Sequence, residues 1–338
     1  MRMSSSRPAV AGAGLAALLL ACSGCATGTA ADQGAASAPR PATGTTAPAA
    51  TAFTPYVSAT TAAGTDAAGS PDTYNLAFVV ADGDACTPLW GGSAKATDSA
   101  VVSRVAALTA SGADVRVSFG GAAGTEAALA CDSAQELADV YGEVLDAVGA
   151  TKADFDIEGD ALTDTASVTR RNEALHLLQL ERDLDVTYTL PVMPDGLEAS
   201  GTALLDDAVA EGVDVSAVNI MAMNYSSSHD GDMSDYAEQA ASATHDQIAG
   251  ALGLTDAEAW RALHITVMIG VNDVAGETFT LADAASLRSF ARRQGAGALS
   301  LWAAFRDRAC TGEDTSKASD SCSGVAQEDG AFAEALSG

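Results

Sequence analysis

The stretch KADFDIEGD, residues 152–160, alternates acidic and apolar side chains. Asp154, Asp156 and Glu158 occupy every second position, and Phe155 and Ile157 stand between them. Because side chains two apart on a β-strand share one face, the acids would form a column with steps of about 6.6 Å. Carboxylates this close share protons and separate in pKa, which keeps one of them protonated for general acid catalysis. Glu158, at the carboxyl end of the predicted strand, is therefore the expected proton donor.

Two other interpretations of this column stay open on these residues alone. Hard carboxylate oxygens at this spacing can hold a divalent cation. They can also form a purely structural cluster whose charge Arg or Lys side chains neutralise, since carboxylates with perturbed pKa values occur in such networks. The residues at the ends of the other strands are needed to decide.

Short β-branched or apolar runs alternate with longer amphipathic stretches from residue 53 to residue 338. Eight of these runs are predicted strands, at residues 54–59, 74–81, 115–121, 153–159, 186–192, 218–225, 265–273 and 298–307. The clearest helical pattern covers residues 133–148, and Ser133 and Glu136 offer a capping box at its start. A second such box, Thr255 with Glu258, precedes the seventh strand.

This alternation predicts an α/β fold of the (β/α)8 TIM-barrel class, whose active site lies at the carboxyl ends of the strands. A doubly wound open sheet is the alternative. It is disfavoured because no G-x-G-x-x-G turn follows an early strand.

The composition limits the partners of the protein. The chain has 338 residues, 48% of them apolar, and a net charge of −28. A charge of this sign repels nucleic acid and anionic membrane surfaces, so we expect neither as a partner. Nothing in the residues requires more than a monomer.

The N-terminal residues have the pattern of a targeting segment. Arg2 and Arg7 precede an apolar run at residues 9–21, too short to span a bilayer and typical of a secretory signal. We therefore expect a signal peptide over residues 1–21 and an exported protein, at the cell surface or outside the cell. The run ends in Leu-Leu-Ala-Cys, which resembles a lipoprotein cleavage motif and makes Cys22 the candidate for lipidation, with Cys25 as a second candidate. Export without a lipid anchor is the alternative.

Residues 22–52 are rich in Ala, Thr, Gly and Pro and predict a flexible linker. Four cysteines follow it, an even number that favours two disulfides in an oxidising compartment. Cys310 and Cys322 close a short loop and are expected to pair, which leaves Cys86 with Cys131. A zinc site is the alternative, but close C-x-x-C spacing is missing. The histidines lack H-E-x-x-H spacing as well, so we expect no metal and no cofactor.

Motifs at the ends of four predicted strands together resemble glycoside hydrolase family 18, the chitinase family. They are Ser118-Phe119-Gly120-Gly121, the D-x-x-D-x-D-x-E segment that ends at Glu158, Met221-Ala222-Met223-Asn224-Tyr225, and Trp302. The resemblance runs from about residue 53 to the last residue and implies a single TIM-barrel domain, residues 53–338. Within the family it is similar to small, single-domain bacterial chitinases.

The resemblance implies an enzyme that cleaves β-1,4-linked N-acetylglucosamine with retention, in chitin or its oligosaccharides. In this exception to the two-carboxylate scheme the substrate's own acetamide oxygen is the nucleophile. By resemblance, Glu158 is the acid and then the base, Asp156 orients the acetamide, and Asp154 lies behind Asp156. Tyr225 would donate its hydroxyl to the acetamide oxygen, and Trp302 would lie under the sugar ring.

Other residues are expected to contact substrate. The candidates are Gly120, Gly121, Met223, Asn224, Trp90 and Asp273. Trp90 is as well explained by loop packing, and for Trp260 packing is the preferred explanation. Arg306 and Asp307, at the end of the last predicted strand, could bind substrate or pair across the barrel mouth, and the structural interpretation is preferred.

The chain departs from the family pattern at two positions. Thr151 replaces the first acid of the signature. Asn224 stands where the family often has Asp, and loss of that negative charge should lower the pKa of Glu158 and move the pH optimum toward acid. Two alternatives to a chitinase remain: a chitin-binding lectin on the same barrel, and an endo-β-N-acetylglucosaminidase that acts on glycoprotein glycans.

Overall fold

The computed structural model describes residues 50–312 and 315–338. The predicted signal peptide, Cys22, Cys25 and most of the predicted linker lie outside these residues. The strands are β1 Ala52–Phe53, β2 Tyr56–Ser58, β3 Thr73–Asp82, β4 Ala85–Trp90, β5 Ala94–Lys95, β6 Asp114–Gly120, β7 Lys152–Asp156, β8 Asp185–Met193, β9 Gly196–Leu197, β10 Val215–Met221, β11 Leu263–Met268, β12 Gly270–Val271, β13 Thr278–Phe279 and β14 Ala298–Trp302.

The helices alternate with these strands. They are α1 Ser99–Thr109, α2 Ala127–Ala130, α3 Ala134–Val148, α4 Asp160–Thr163, α5 Thr165–Glu181, α6 Ala199–Glu211, α7 Met233–Ala251, α8 Asp256–Ala262, α9 Leu281–Gln294 and α10 Ala331–Ser337, with a 3-10 turn at Ala304–Arg306. None of these helices is both long and apolar enough to cross a membrane.

The parallel strands β3, β6, β7, β8, β10, β11 and β14 pair side by side in chain order. Residues 52–58 join the two edges of this sheet, since β1 pairs with β14 and β2 pairs with β3. The ladder is interrupted between β1 and β2, where Pro55 has no N–H to donate. This is the strand arrangement of the predicted TIM barrel, with the predicted first strand divided in two.

Several predicted strands are too long at their carboxyl ends. β7 ends at Asp156 and β10 at Met221, where the chain leaves the ladder to form the loops above the barrel. The predicted strand 265–273 is β11 followed by β12, which turns away and pairs with β13 in an antiparallel hairpin. A methyl group at Gly270 would collide with the backbone of Ser323, so this turn requires glycine.

The apolar residues of the opening stretch pack outward, as the alternation predicts. Phe155 and Ile157 are fully buried, and the ring of Phe155 stacks on Phe119 with centroids 5.3 Å apart. Tyr141 of α3 closes the cluster at 5.1 Å from Phe155. This packing turns the acids of the same strand toward the barrel interior.

The predicted helix starts and disulfides are largely confirmed. Thr255 and Glu258 form a complete capping box at the start of α8. At α3 the box is partial, because Ser133 accepts the N–H of Glu136 while the Glu136 carboxylate bonds the N–H of Asp132. Cys86 is joined to Cys131 and Cys310 to Cys322. The first disulfide ties β4 to the end of α2.

Candidate active site

A cavity of about 310 Å³ lies at the carboxyl ends of the barrel strands. Of the residues expected to contact substrate, it is lined by Asp156, Glu158, Met223, Asn224, Asp273 and Trp302. Its other lining residues are Tyr56, Phe78, Ala122, Thr189, Pro191, Val192, Met193, Glu198, Met221, Thr266 and Met268. The lining thus includes four carboxylates and no Lys, Arg or His.

Asp154 lies below the cavity and is 1% exposed. Its oxygens accept hydrogen bonds from Tyr56 Oη at 2.9 Å, from Thr189 Oγ1 at 2.6 Å and from the hydroxyl of Ser118. Burial raises the pKa of Asp154, and these hydroxyl donors oppose the rise. Asp154 therefore supports the column from below without a basic partner in direct contact.

Asp156 and Glu158 form the upper part of the column. Burial and the neighbouring charges of Glu158 and Asp154 raise the pKa of Asp156 well above its usual range. Asp156 is 6% exposed, and its Oδ1 has no hydrogen-bond partner among the described residues. Burial also raises the pKa of Glu158, which lines the cavity and is more accessible. The pair therefore combines a proton donor with an unoccupied buried acceptor.

The structure bears on the two alternatives considered for this column. Hydroxyl donors occupy both oxygens of Asp154, which leaves Asp156 and Glu158 as the free carboxylates for a cation. A structural cluster neutralised by Arg or Lys would need such a side chain in contact with the acids. Arg116 lowers the pKa of Asp154 through its charge, but its direct partners are Asn75 and Asp185. Among the described residues, the group with side chains close enough for a metal ion is Cys86, Cys131 and Glu136, and its sulfur atoms form a disulfide.

Three aromatic rings form one wall of the cavity. Trp302, at the end of β14, stacks on Phe78 with centroids 5.3 Å apart and planes inclined by 22°. Tyr56 packs edge-on against Trp302 at 5.8 Å. A flat apolar surface next to carboxylates is suited to bind a sugar ring, whose CH faces pack on aromatic rings while its hydroxyls find polar partners.

Gly120 and Gly121 were expected to contact substrate, but they are not among the residues that line the cavity. They influence its dimensions instead. Both have positive φ, 95° and 89°. A methyl group at Gly120 would collide with the carbonyl oxygen of Asp156, and one at Gly121 would press on the ring of Phe78. The two glycines thus allow β6 to approach the acid column and the aromatic wall closely.

The loop after β10 places Met223 and Asn224, rather than Tyr225, in the cavity wall. Tyr225 is 6% exposed, and its ring packs against Tyr236 and His229. Its hydroxyl is buried without a hydrogen-bond partner among the described residues, and burial raises its pKa. The expected donation from Tyr225 to a substrate acetamide stays a prediction, since this hydroxyl has no other partner among the described residues.

The other aromatic and charged candidates are structural. Trp90 is fully buried under the β3–β4 hairpin, which rules out its role as a sugar platform. Trp260 stacks on His245, as packing predicts. Arg306 donates to the carbonyls of Ile269 and Val271 at the base of the β12–β13 hairpin. Asp307 accepts the first N–H groups of α10, from Phe332 and Ala333.

The cavity residues that the sequence patterns missed include Tyr56, Phe78, Thr189 and Glu198. The first three lie on predicted strands, but period-two alternation gives two faces without saying which one is inside. Tyr56 and Thr189 could have been found only through their pairing with the acid column. Glu198 precedes α6, and no local pattern distinguishes it from a surface carboxylate.

Comparisons with known proteins agree with this geometry. No protein-family profile matches the chain. It is 35% identical over 249 residues to a probable bifunctional chitinase/lysozyme of Escherichia coli, and 35% identical over 248 residues to endochitinase 11 of Metarhizium anisopliae. Each match covers 69% of this chain. The matched part is 28% of the first relative and 47% of the second.

Solved structures match over a longer part of the chain. The catalytic domain of a hyperthermophilic chitinase from Pyrococcus furiosus superposes with a TM-score of 0.73 at 28% identity, covering 86% of this chain and 95% of that domain. Catalytic-site mutants of that domain have been solved with chito-oligosaccharides. A family 18 chitinase from Pseudoalteromonas aurantia, 16% identical with a TM-score of 0.53, shares the fold.

Proposed function

The chain belongs to glycoside hydrolase family 18, and we propose on this premise that it hydrolyses β-1,4-linked N-acetylglucosamine with retention. The substrates would be chitin or its oligosaccharides, and no cofactor would be needed. The observation that carries this proposal is the pairing of Glu158 with the unoccupied acceptor Oδ1 of Asp156 in one cavity. The 35% identity to proteins named as chitinases supports the same substrate class.

In the first step, Glu158 donates its proton to the glycosidic oxygen as the bond from that oxygen to the anomeric carbon breaks. The acetamide oxygen of the same sugar forms a bond to the anomeric carbon and gives an oxazolinium ion. Asp156 accepts the acetamide N–H through Oδ1 and stabilises the positive charge that develops there. The raised pKa of Glu158 keeps the donor protonated at a higher pH than an exposed glutamate.

In the second step, the carboxylate of Glu158 takes a proton from water, and the water oxygen bonds to the anomeric carbon from the side that the leaving sugar vacated. The bond from the anomeric carbon to the acetamide oxygen breaks, so the acetamide is restored. Two inversions give net retention. Trp302 and Phe78 supply the flat surface that holds the ring during both steps.

The proposal is tested with the purified protein and chitotetraose. We expect the wild type to release β-anomeric products, which NMR detects before mutarotation. Glu158→Gln should lose at least about 10²-fold in kcat, because the proton donor is removed. Unchanged turnover in Glu158→Gln, or an α-anomeric first product, would contradict the proposed mechanism.

The same assay separates the alternatives. A lectin would bind chitotetraose without turnover, and an endoglycosidase would act on a glycoprotein glycan in preference to chitotetraose. Bacterial peptidoglycan should be tested as well, because the name of the first relative includes lysozyme. EDTA should leave turnover unchanged if no metal takes part.

We also propose that the protein is exported as a monomer and anchored through a lipid on Cys22. The apolar run at residues 9–21 supports export, and so do two disulfides, which persist in oxidising compartments. Membrane fractionation of the wild type and Cys22→Ser tests the anchor. A variant that stays in the membrane fraction would contradict it, and light scattering of the released protein tests the monomer.

A further inference from the structure

The loop that carries Met223 and Asn224 into the cavity wall is bonded to the hairpin formed by β12 and β13. Asn224 has φ of 55°, a left-handed conformation that Asn adopts more readily than most residues but that still needs support. The loop does not belong to a ladder, since β10 ends at Met221. The Ala222 N–H still donates to the carbonyl of Thr266 in β11, and beyond that residue side-chain contacts help to hold the loop.

Glu277, in the tip of the hairpin, supplies such contacts from below. The side chain is nearly inaccessible, with the residue 1% exposed. Its Oε1 accepts the N–H of Ser226 at 2.9 Å. Burial raises the pKa of Glu277, and the backbone N–H groups of residues 224–226 oppose the rise. Oε2 of the same carboxylate is buried and has no hydrogen-bond partner among the described residues.

The loop holds the hairpin in return. Asn224 Oδ1 accepts the N–H of Asp273 at 2.9 Å and that of Val274 at 3.3 Å. The hairpin tip is closed by its own bond from Asn272 N–H to the carbonyl of Glu277, 3.1 Å long. Glu277 of the hairpin thus accepts a backbone N–H of the loop, and Asn224 of the loop accepts two backbone N–H groups of the hairpin. Asn224 and Asp273 line the cavity.

We propose that Glu277 is a positioning residue of the active site, which holds the loop at residues 222–226 so that Met223 and Asn224 form the cavity wall. It acts through the hydrogen bond that its carboxylate accepts from the Ser226 N–H and does not touch substrate. The inference rests on the proposed function for its kinetic consequence only. The conformational part concerns the loop itself.

The test compares Glu277→Ala, Glu277→Gln and the control Glu258→Ala. Glu258 also accepts a backbone N–H with its carboxylate, that of Thr255, but at the start of α8 and outside the cavity. We expect Glu277→Ala to lower kcat/KM for chitotetraose by about 10- to 100-fold, the cost of small misplacements in active sites. Glu277→Gln keeps a carbonyl acceptor and should recover most of the loss, whereas Glu258→Ala should match the wild type.

Hydrogen–deuterium exchange gives a readout without substrate. Glu277→Ala should speed exchange in the peptide that contains residues 222–226, and Glu258→Ala should not. Unchanged exchange there, or a kcat/KM equal to that of Glu258→Ala, would overturn the inference. A loss that Glu277→Gln fails to recover would overturn the hydrogen-bond role. If the wild type does not turn over chitotetraose, the proposed function fails, while the exchange result still decides the role of Glu277.

Discussion

Asn224 and Asp273 are joined by two hydrogen bonds that run in opposite directions. The side-chain carbonyl of Asn224 accepts the Asp273 N–H at 2.9 Å, and its Nδ2 donates to Asp273 Oδ2 at 3.2 Å. Both residues line the cavity that contains Glu158. An amide can make both bonds because it has a donor and an acceptor, whereas an ionised carboxylate would repel Asp273. The neutral residue at this position therefore sets both the geometry and the charge of the cavity.

Asn224→Asp should move the high-pH limb of the kcat/KM profile toward alkaline pH. An added negative charge in the cavity disfavours ionisation of Glu158, so its pKa rises and the proton donor persists to higher pH. We expect a shift of roughly half a pH unit to one pH unit. The rate at the optimum should fall as well, because the donor to Asp273 is lost.

Gln239→Glu is the matched control for this shift. It adds the same charge on an exposed position of α7, outside the cavity. Its pH profile should coincide with that of the wild type, since salt screens exposed charges at a distance. An alkaline limb that stays fixed in Asn224→Asp would show that residue 224 does not tune Glu158.

The column of acids also predicts how stability depends on pH. Asp156 is buried with a pKa raised by burial and by the charges of Glu158 and Asp154. A carboxyl whose pKa is raised by folding stabilises the protein below its unfolded pKa, and this contribution is lost as the pH rises through the folded pKa. Ionised Asp156 therefore destabilises the folded protein at neutral and alkaline pH.

Asp156→Asn should accordingly raise the melting temperature at pH 8 by a few degrees and have little effect at pH 3.5. Activity should fall in the same variant, because the amide cannot stabilise the developing positive charge. Calorimetry at the two pH values measures the difference. Equal shifts at both pH values, or a lower melting temperature at pH 8, would mean that Asp156 is not under electrostatic strain.

Gly120→Ala should lower both stability and activity. The added methyl would meet the carbonyl oxygen of Asp156 across the β6–β7 pair, and φ of 95° is unfavourable for alanine. We expect a loss of about 2 to 4 kcal/mol in the free energy of unfolding. Gly250→Ala is the control, because Gly250 lies in α7 with nothing within 4 Å of the added atom. It should stabilise the protein by about 0.5 to 1 kcal/mol, and chemical unfolding measures both variants.

The sequence pattern predicted which way the side chains of the acid column face, but it did not predict this for the residues of the loops. Period-two alternation places Asp154 and Asp156 on the inner face of β7, opposite the outward-packed Phe155. Glu158 follows the same alternation because the Ile157 N–H still donates to the carbonyl of Thr189 in β8. Past the end of a strand the alternation no longer applies. Asn224 has a positive φ, and the ring of Tyr225 after it packs against Tyr236 and His229, which alternation does not predict.

Burial of tryptophan could not be predicted for a similar reason. Trp90 ends β4, an antiparallel addition to the barrel edge that the predicted strand pattern did not contain. Its local sequence is that of a Gly-rich loop, which suits exposure as well as burial. Trp302 was predicted from the resemblance to family 18, and the structure places it at the end of β14, at the carboxyl end of a barrel strand. Trp90 is buried and Trp302 lines the cavity because their strands occupy different places in the sheet topology. Local sequence patterns do not contain this information.

The two disulfides should contribute unequally to stability. Cys86 and Cys131 are 45 residues apart, and Cys310 and Cys322 are 12 residues apart. The loss of chain entropy in the unfolded state grows with loop length, which gives about 4 kcal/mol for the first disulfide and about 3 kcal/mol for the second. The double variant Cys86→Ala/Cys131→Ala should therefore unfold at a lower urea concentration than Cys310→Ala/Cys322→Ala, with the wild type above both. If the shorter loop proves the more important, native contacts around Cys322 outweigh the entropy of the unfolded chain.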